Sequence, residues 1–234
     1  MSDQQPGPTI RRSRRPRAVR LAVAASTCVV LATAATALAL TWGTPADLSA
    51  AGQDAYEPQI SIAPNGAATA VWRRSNGSNT VVQAATRPAG SSAWGTPSDL
   101  SAAGQDADGP EIATAPDGAT TAVWRRSNGS NTVVQAATRP AGSTAWGTPG
   151  DLSATGQDAG SPQISTAPDG AATAIWHRSN GSNTIVQAAT SAPTTYPLTI
   201  VTEGTGAGTV TSSPAGITCG ATCTGTFALS STIT

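Results

Sequence analysis

Trp42 opens the stretch WGTPADLSAAGQDA, which returns as WGTPSDLSAAGQDA at Trp94 and as WGTPGDLSATGQDA at Trp146. A second tryptophan series, Trp72, Trp124 and Trp176, keeps the same step of 52 residues. TAVWRRSNGSNTVVQAATRPAGS runs from Thr69 to Ser91 and recurs letter for letter from Thr121 to Ser143. A third near-copy starts at Thr173, carries Val→Ile changes and one Arg→His, and diverges at Ser191. Tandem periods near this length mark solenoids, propellers or arrays, in which a unit too small for its own core buries its apolar face against a neighbour. The units span residues 42–93, 94–145 and 146–190.

Within a unit every signal is β. PQISIA (Pro58 to Ala63) leads through Pro64 and Asn65-Gly66 into AATAVWRR, and the later units carry Asp117-Gly118 and Asp169-Gly170 at the same place. Such pairs between β-prone runs mark hairpins, because both residues accept the positive φ of a type I′ turn. SNGSN makes the next loop, TVVQAATR a third strand, PAGSSA a third turn, and WGTPxDLS a fourth strand or its ragged edge. Four short antiparallel strands in about fifty residues is the size of a propeller blade. The predicted fold is all-β: three four-stranded, propeller-blade-like repeats and a small C-terminal β module. A two-residue turn at Asn65-Gly66 sets Ile62 opposite Thr69 and Ile60 opposite Val71, a β-branched face. Ser61, Ala63, Ala68, Ala70 and Trp72 fall on the other. A sheet with one bulky and one small-residue face suits stacking, each bulky face on the next unit's small one.

Along the chain the strands run one, four, four, three, an order that lets a first strand complete a last sheet. Propeller rings take roughly four to eight blades, and this chain supplies three. The expectation is a homodimer completing a six-bladed ring, an open stack, or a piece of a longer protein.

All 13 cationic residues are arginine, and Arg11, Arg12, Arg14, Arg15, Arg17 and Arg20 lie in the first twenty positions. From Leu21 onward seven Arg face twelve Asp and Glu, a net of −5. A mildly acidic body without lysine lacks the clustered cations that phosphate contacts need, which argues against nucleic acid as a partner. The basic run precedes the uncharged LAVAASTCVVLATAATALAL, which ends near Ala37-Leu38-Ala39. Residues 1–39 therefore read as a secretory signal peptide or an uncleaved N-terminal membrane anchor. Either places the body at the cell surface or outside the cell, touching membrane only through this segment.

After the third unit the composition changes. Residues 191–197, SAPTTYP, read as a linker, and residues 198–234 as a separate module rich in Gly and Thr, without Trp or Arg. Cys219 and Cys223 are the cysteines outside the leader, and in an exported chain so close a pair favours a disulfide over two free thiols. No neighbouring His or further Cys suggests a metal. GTGAGTVTSSPAGITCGATCTGTFALSSTIT, from Gly204 to Thr234, resembles the divergent internalin-type B-repeat of bacterial surface and secreted proteins. The likeness lies in the Gly-Thr-Val-Thr-Ser-Ser-Pro core and the paired cysteines; it implies a truncated small β module and says nothing about catalysis.

The 52-residue units resemble the blades of bacterial secreted propellers, including distantly sialidase-like ones. APDGATTAVW (Ala115 to Trp124) is similar to their Asp-box turn, although that motif reads Ser-x-Asp-x-Gly-x-Thr-Trp and here Asp117 and Gly118 are adjacent. The likeness implies a propeller more than sialidase chemistry. A hydrolase needs an acid, a base or nucleophile and a charge stabiliser at distinct positions, whereas these copies differ at few: Tyr56-Glu57, Asp108, Glu111 and His177. His177 replaces Arg73 and Arg125 and reads as a strand-end substitution. Asp106-Ala-Asp108-Gly109 has a calcium-loop look, but Asp54-Ala-Tyr56-Glu57 and Asp158-Ala-Gly160-Ser161 repeat no ligand set.

No catalytic residue, metal or cofactor is assigned. The candidate ligand-binding residues are Trp42, Trp94 and Trp146, at a sheet edge where indoles stack on sugar rings and repetition adds avidity. Arg74, Arg126 and Arg178 join them, since guanidinium groups brought together around one axis hold a carboxylate bidentately. Trp72, Trp124 and Trp176 read as fillers between sheets, and the Asn-Gly-Ser triplets at Asn76, Asn128 and Asn180 as hairpin loops. The function expected is an exported bacterial surface or secreted repeat protein, non-enzymatic, with an adhesive, glycan-binding or structural role and glycans or cell-surface polymers as partners. The alternative is a sialidase-like glycoside hydrolase or a fragment of one.

Overall fold

The segment Ala63-Pro64-Asn65-Gly66 closes on itself: the Gly66 amide donates to the Ala63 carbonyl, and the Ala63 amide to the Ala67 carbonyl, each at 2.8 Å. Gly66, at φ 86°, is in the left-handed region. Asn65 is not, and its Oδ1 accepts instead from the Ala67 amide at 2.9 Å. Proline presets φ for the second position of a type I turn, and a left-handed glycine after it adds one residue to the loop. This corrects the register of a two-residue turn. Ile62 pairs with Ala68 and Ile60 with Ala70, so both isoleucines join the face that carries Trp72. Ala115 to Ala119 and Ala167 to Ala171 close in the same way.

The computed structural model describes residues 42–201, 203, 206, 208–220 and 222–234; the leader expected over 1–39 lies outside them. Residues 1–44 and 45–234 form separate units, and every strand among the described residues belongs to the second. The first sheet is β1 (Ala55–Ile62), β2 (Ala68–Ser75), β3 (Thr80–Arg87) and β4 (Ser98–Asp99), antiparallel and in chain order. The second repeats it with β5 (Ala107–Thr114), β6 (Thr120–Ser127), β7 (Thr132–Arg139) and β8 (Gly150–Asp151). The third has three strands, β9 (Ala159–Thr166), β10 (Ala172–Ser179) and β11 (Thr184–Thr190). Each fourth strand is thus the WGTPxDLS segment that opens the following repeat. The first such segment, residues 42–50, makes no strand.

The sheets stack front to back. Val71, Val82 and Ala84 of the first sheet, with Leu100, bury against Ala122, Trp124 and Ala137 of the second. Val123 and Val134 of the second bury against Ala159, Ala174 and Trp176 of the third. A valine face therefore meets a tryptophan-and-alanine face at both junctions, the small alanines leaving room for indole and valine to interdigitate at interior density. Polar bonds fix the spacing. Asp106 Oδ1 accepts from the Thr80 amide at 2.8 Å, and Asp158 Oδ1 from the Thr132 amide at 2.9 Å, each a carboxylate of one sheet capping a strand start of the sheet before.

Beyond Thr190 the chain enters β12 (Thr195–Val201), so the connection narrows to residues 191–194 and Thr195 to Pro197 of the expected linker become strand. β12 pairs with β15 (Thr222–Ala228), and β13 (Val210–Thr211) with β14 (Thr218–Cys219). Cys219 and Cys223 form a disulfide. Ile217, Cys223 and Phe227 make a small core of their own. Tyr196 Oη donates to Asp117 Oδ2 at 2.9 Å, which raises the tyrosine above its ordinary pKa and ties the module to the second sheet's turn.

Candidate functional site

The sheets pack most closely along their first strands, and each first strand carries a β-bulge there. The extra residue sits at positive φ in every copy: Glu57 at 56°, Gly109 at 59° and Ser161 at 49°. A bulge re-aims its neighbours, and here it gathers the positions at which the repeats differ. Glu57 Oε2 accepts from the Gly109 amide at 2.8 Å, and Arg73 lies 3.6 Å from its other oxygen and 5.2 Å from the Tyr56 ring centroid. Arg125 holds Asp108 through two bonds of 2.8 and 2.7 Å, which raises its own pKa. Glu111 Oε1 accepts from Gln59 and Gln163 at 3.4 and 3.0 Å, making one polar rung across all three sheets. A Cβ on Gly160 would lie 3.1 Å from Arg125 Cδ and 3.5 Å from the His177 ring, so the row ends against those two side chains.

Chemically this row is a set of satisfied pairs. Each carboxylate in it already accepts from an arginine, an amide or a glutamine. The arginines neutralise Glu57 and Asp108 within their own sheets, and the Gly109 amide, Gln59 and Gln163 tie carboxylates across the sheets.

The three candidate arginines are anchored at the far ends of the middle strands. Arg74 Nη2 donates to the Ala50 carbonyl at 3.1 Å, Arg126 Nη2 to Ala102 and Arg178 Nη2 to Thr155, both at 3.4 Å. Each clips its strand to the loop that enters the same sheet. Carbonyls leave the positive charge uncompensated, and none of the three is in an ion pair among the described residues.

The tryptophans divide as their neighbours dictate. Trp72, Trp124 and Trp176 are interior, in the stacking faces. Trp42 is 91% exposed. Trp94 and Trp146 are half-buried and stand on one wall line: a groove of about 450 Å³ runs between them, lined also by Thr86, Ser91, Thr96, Ser98 and Thr144. Guanidinium groups lie over both rings, Arg87 at 6.0 Å from the Trp94 centroid and Arg139 at 5.9 Å from that of Trp146. Arg139 is buried and donates to the Thr69 and Thr120 hydroxyls at 3.0 and 3.1 Å, so it locks the first two sheets together beneath the groove. Burial lowers its pKa. The structure thus brings Trp94 and Trp146 to one surface feature. Sequence reasoning missed the three bulges and the Arg139 clasp; Arg-Pro-Ala-Gly-Ser, written at Arg87 and Arg139 and replaced at Ser191, was the available signal for the clasp.

No protein-family model matches the chain, and no curated protein matches it in sequence. Among solved structures it is similar to an endo-arabinase from Bacteroides thetaiotaomicron, with TM-score 0.42 and 14% identity over 60% of this chain and 57% of that one. It is also similar to an intramolecular trans-sialidase from Ruminococcus gnavus, with TM-score 0.39 and 12% identity over 56% of this chain. The chain spans 29% of that enzyme's length. At these scores the two likenesses carry no inference about chemistry.

Proposed function

We propose that this chain is a non-enzymatic, exported bacterial surface or secreted protein that binds glycans or cell-surface polymers. The observation that carries the reading is the groove between Trp94 and Trp146, two indoles on successive sheets with hydroxyl side chains between them. Indole faces take the apolar faces of sugar rings, and hydroxyls take their edge hydrogen bonds. The engaged carboxylates of the bulge row favour binding over hydrolysis. Screening the full chain on a glycan array tests this: a bound class is expected, with at least tenfold weaker binding for Trp94→Ala and Trp146→Ala. An array without signal, or binding that both variants leave unchanged, overturns it.

The second reading, a glycoside hydrolase or a remnant of one, draws on the clustering of the non-repeated Tyr56, Glu57, Asp108 and Glu111 along the first strands. Turnover of a fluorogenic sialoside, lost on Glu111→Gln, would replace the first reading with this one.

A further inference from the structure

The valine face of the third sheet is bare. Val71 and Val82 of the first sheet are fully buried, as are Val123 and Val134 of the second, yet their counterparts Ile175 and Val186 are 44% and 76% exposed. At the other end of the stack Ile60 and Ile62, on the tryptophan face of the first sheet, are 58% and 61% exposed. The two open faces are of the two kinds that meet at both internal junctions.

The open edges match as well. In the first sheet the fourth-strand segment bonds through the Leu100 amide to the Val82 carbonyl at 2.7 Å, Ser101 Oγ to the Val82 amide at 2.9 Å and Asp99 to Gln83 at 2.7 Å. In the second, Leu152, Ser153 and Asp151 do the same for Val134 and Gln135. In the third, the β11 edge is unpaired among the described residues, and Gln187 turns to accept from Trp176 Nε1 at 3.2 Å instead. The equivalent residues are Asp47, Leu48 and Ser49, which make no strand, while Leu48 already packs on Trp72 as Leu100 does on Trp124. Asp54 is the counterpart of Asp106 and Asp158, and Thr184 of the strand starts that they cap. Finally, Trp94 and Trp146 pack beside Ala85 and Ala137. Beside the equivalent Ala189, between the second and third sheets, there is a cavity of about 360 Å³ lined by Val123, Ala136, Leu152, Ile164 and Ala174.

We propose that a second copy of this chain docks head to tail on the third sheet, its segment Trp42–Ser49 pairing with β11 as the missing fourth strand. Leu48 of the arriving copy covers Val186, Asp47 meets Gln187, Asp54 caps Thr184 and Trp42 enters the cavity beside Ala189. Such an interface is heterologous, so it closes into a ring or extends as a filament according to the rotation between copies; two copies bring the sheet number to six, inside the range of closed propellers. Main-chain pairing supplies affinity and the alternating side chains fix register.

Single-cysteine variants of the full chain test this in a Cys28→Ser background, where the native Cys219–Cys223 pair is already bonded. Asp47→Cys mixed with Gln187→Cys, register partners by analogy with Asp99 and Gln83, is expected to give a covalent dimer on mild oxidation. Asp47→Cys mixed with Asn183→Cys is not. Light scattering on the unmodified chain is expected to show dimers or longer species that Val186→Asp abolishes. The same variant leaves the thermal unfolding of the isolated chain unchanged, because Val186 is exposed there. A monomer at high protein concentration, or an oligomer without the Asp47–Gln187 cross-link, overturns the proposal.

Discussion

Replacing Trp124 by alanine removes the largest fully buried side chain from the junction of the first and second sheets, at 0% exposure. Its ring is packed among Val71, Val82, Leu100 and Ala107. Burying roughly 200 Å² of aromatic surface at about 25 cal/mol per Å² corresponds to about 5 kcal/mol. That figure is an upper bound, since unfolded chains already bury part of such surface. Nε1 of Trp124 has no hydrogen-bond partner, so no polar term is lost with the ring. Truncations of this kind cost about 3 to 5 kcal/mol, and about 4 kcal/mol is the expectation here. Against a total stability of about 5 to 15 kcal/mol, one side chain then carries a large share of the fold.

Urea unfolding followed by circular dichroism reads this directly. With a slope of about 2 kcal/mol per M, the midpoint of Trp124→Ala falls by about 2 M, and the melting temperature by about 8 to 16 °C for a unit of this size. Trp124→Phe keeps most of the contact and should lose less than half as much. A midpoint for Trp124→Ala within about 0.5 M of the unmodified protein would refute the view that sheet-on-sheet burial of these indoles holds the stack together.

Two further outcomes follow from the turns and the carboxylates. Asp106 and Asp158 are held below the ordinary carboxylate value of 3.8, chiefly by the Thr80 and Thr132 amides and then by Asn79 and Asn131. Their contribution is therefore complete above that value and is lost as pH falls through it, so thermal melts should decline below about pH 4, and more shallowly in Asp106→Asn/Asp158→Asn. Gly66→Ala should cost about 1 to 2 kcal/mol, measured by the same urea titration; a new Cβ there meets nothing within 4 Å, so the cost is the left-handed backbone alone.

The period, the all-β character and the front-to-back stacking were legible because each depends on apolar pattern repeated three times. Register was not, because the meaning of Asn65-Gly66 depends on the residue before it. Pro64 holds the turn in type I, Asn65 stays right-handed, and one added residue moves Ile60 and Ile62 to the opposite face. The bulges were hidden for a different reason. The left-handed position is Glu57 in one copy, Gly109 in the next and Ser161 in the third, and neither Glu nor Ser signals such a conformation as glycine does. Arg74, Arg126 and Arg178 were readable as a series but not as clips, since a carbonyl partner leaves no mark in sequence. Asp106 and Asp158 sit in GQDA, written in every repeat, and their capping of the preceding sheet was a consequence of that spacing that only the stacking direction makes visible.

Identical residues in this chain end in different environments, and place in the stack decides which. Val82 is buried while Val186 is open; Arg139 bridges two sheets, whereas Arg87 reaches the Gly66 carbonyl of its own sheet and the third copy has Ser191 instead. The same holds for the edge indoles. A groove needs two successive sheets, each with a fourth strand, and Trp94 and Trp146 make one; Trp42 is exposed. A single chain thus brings two of the three edge indoles to one groove. Head-to-tail docking would seat Trp42 of one copy in line with Trp146 of the other, adding a groove at each junction. Binding strength toward a repeating polymer would then rise with assembly, through the added groove and by avidity, which would make the open ends of the stack and the indole edge parts of one design.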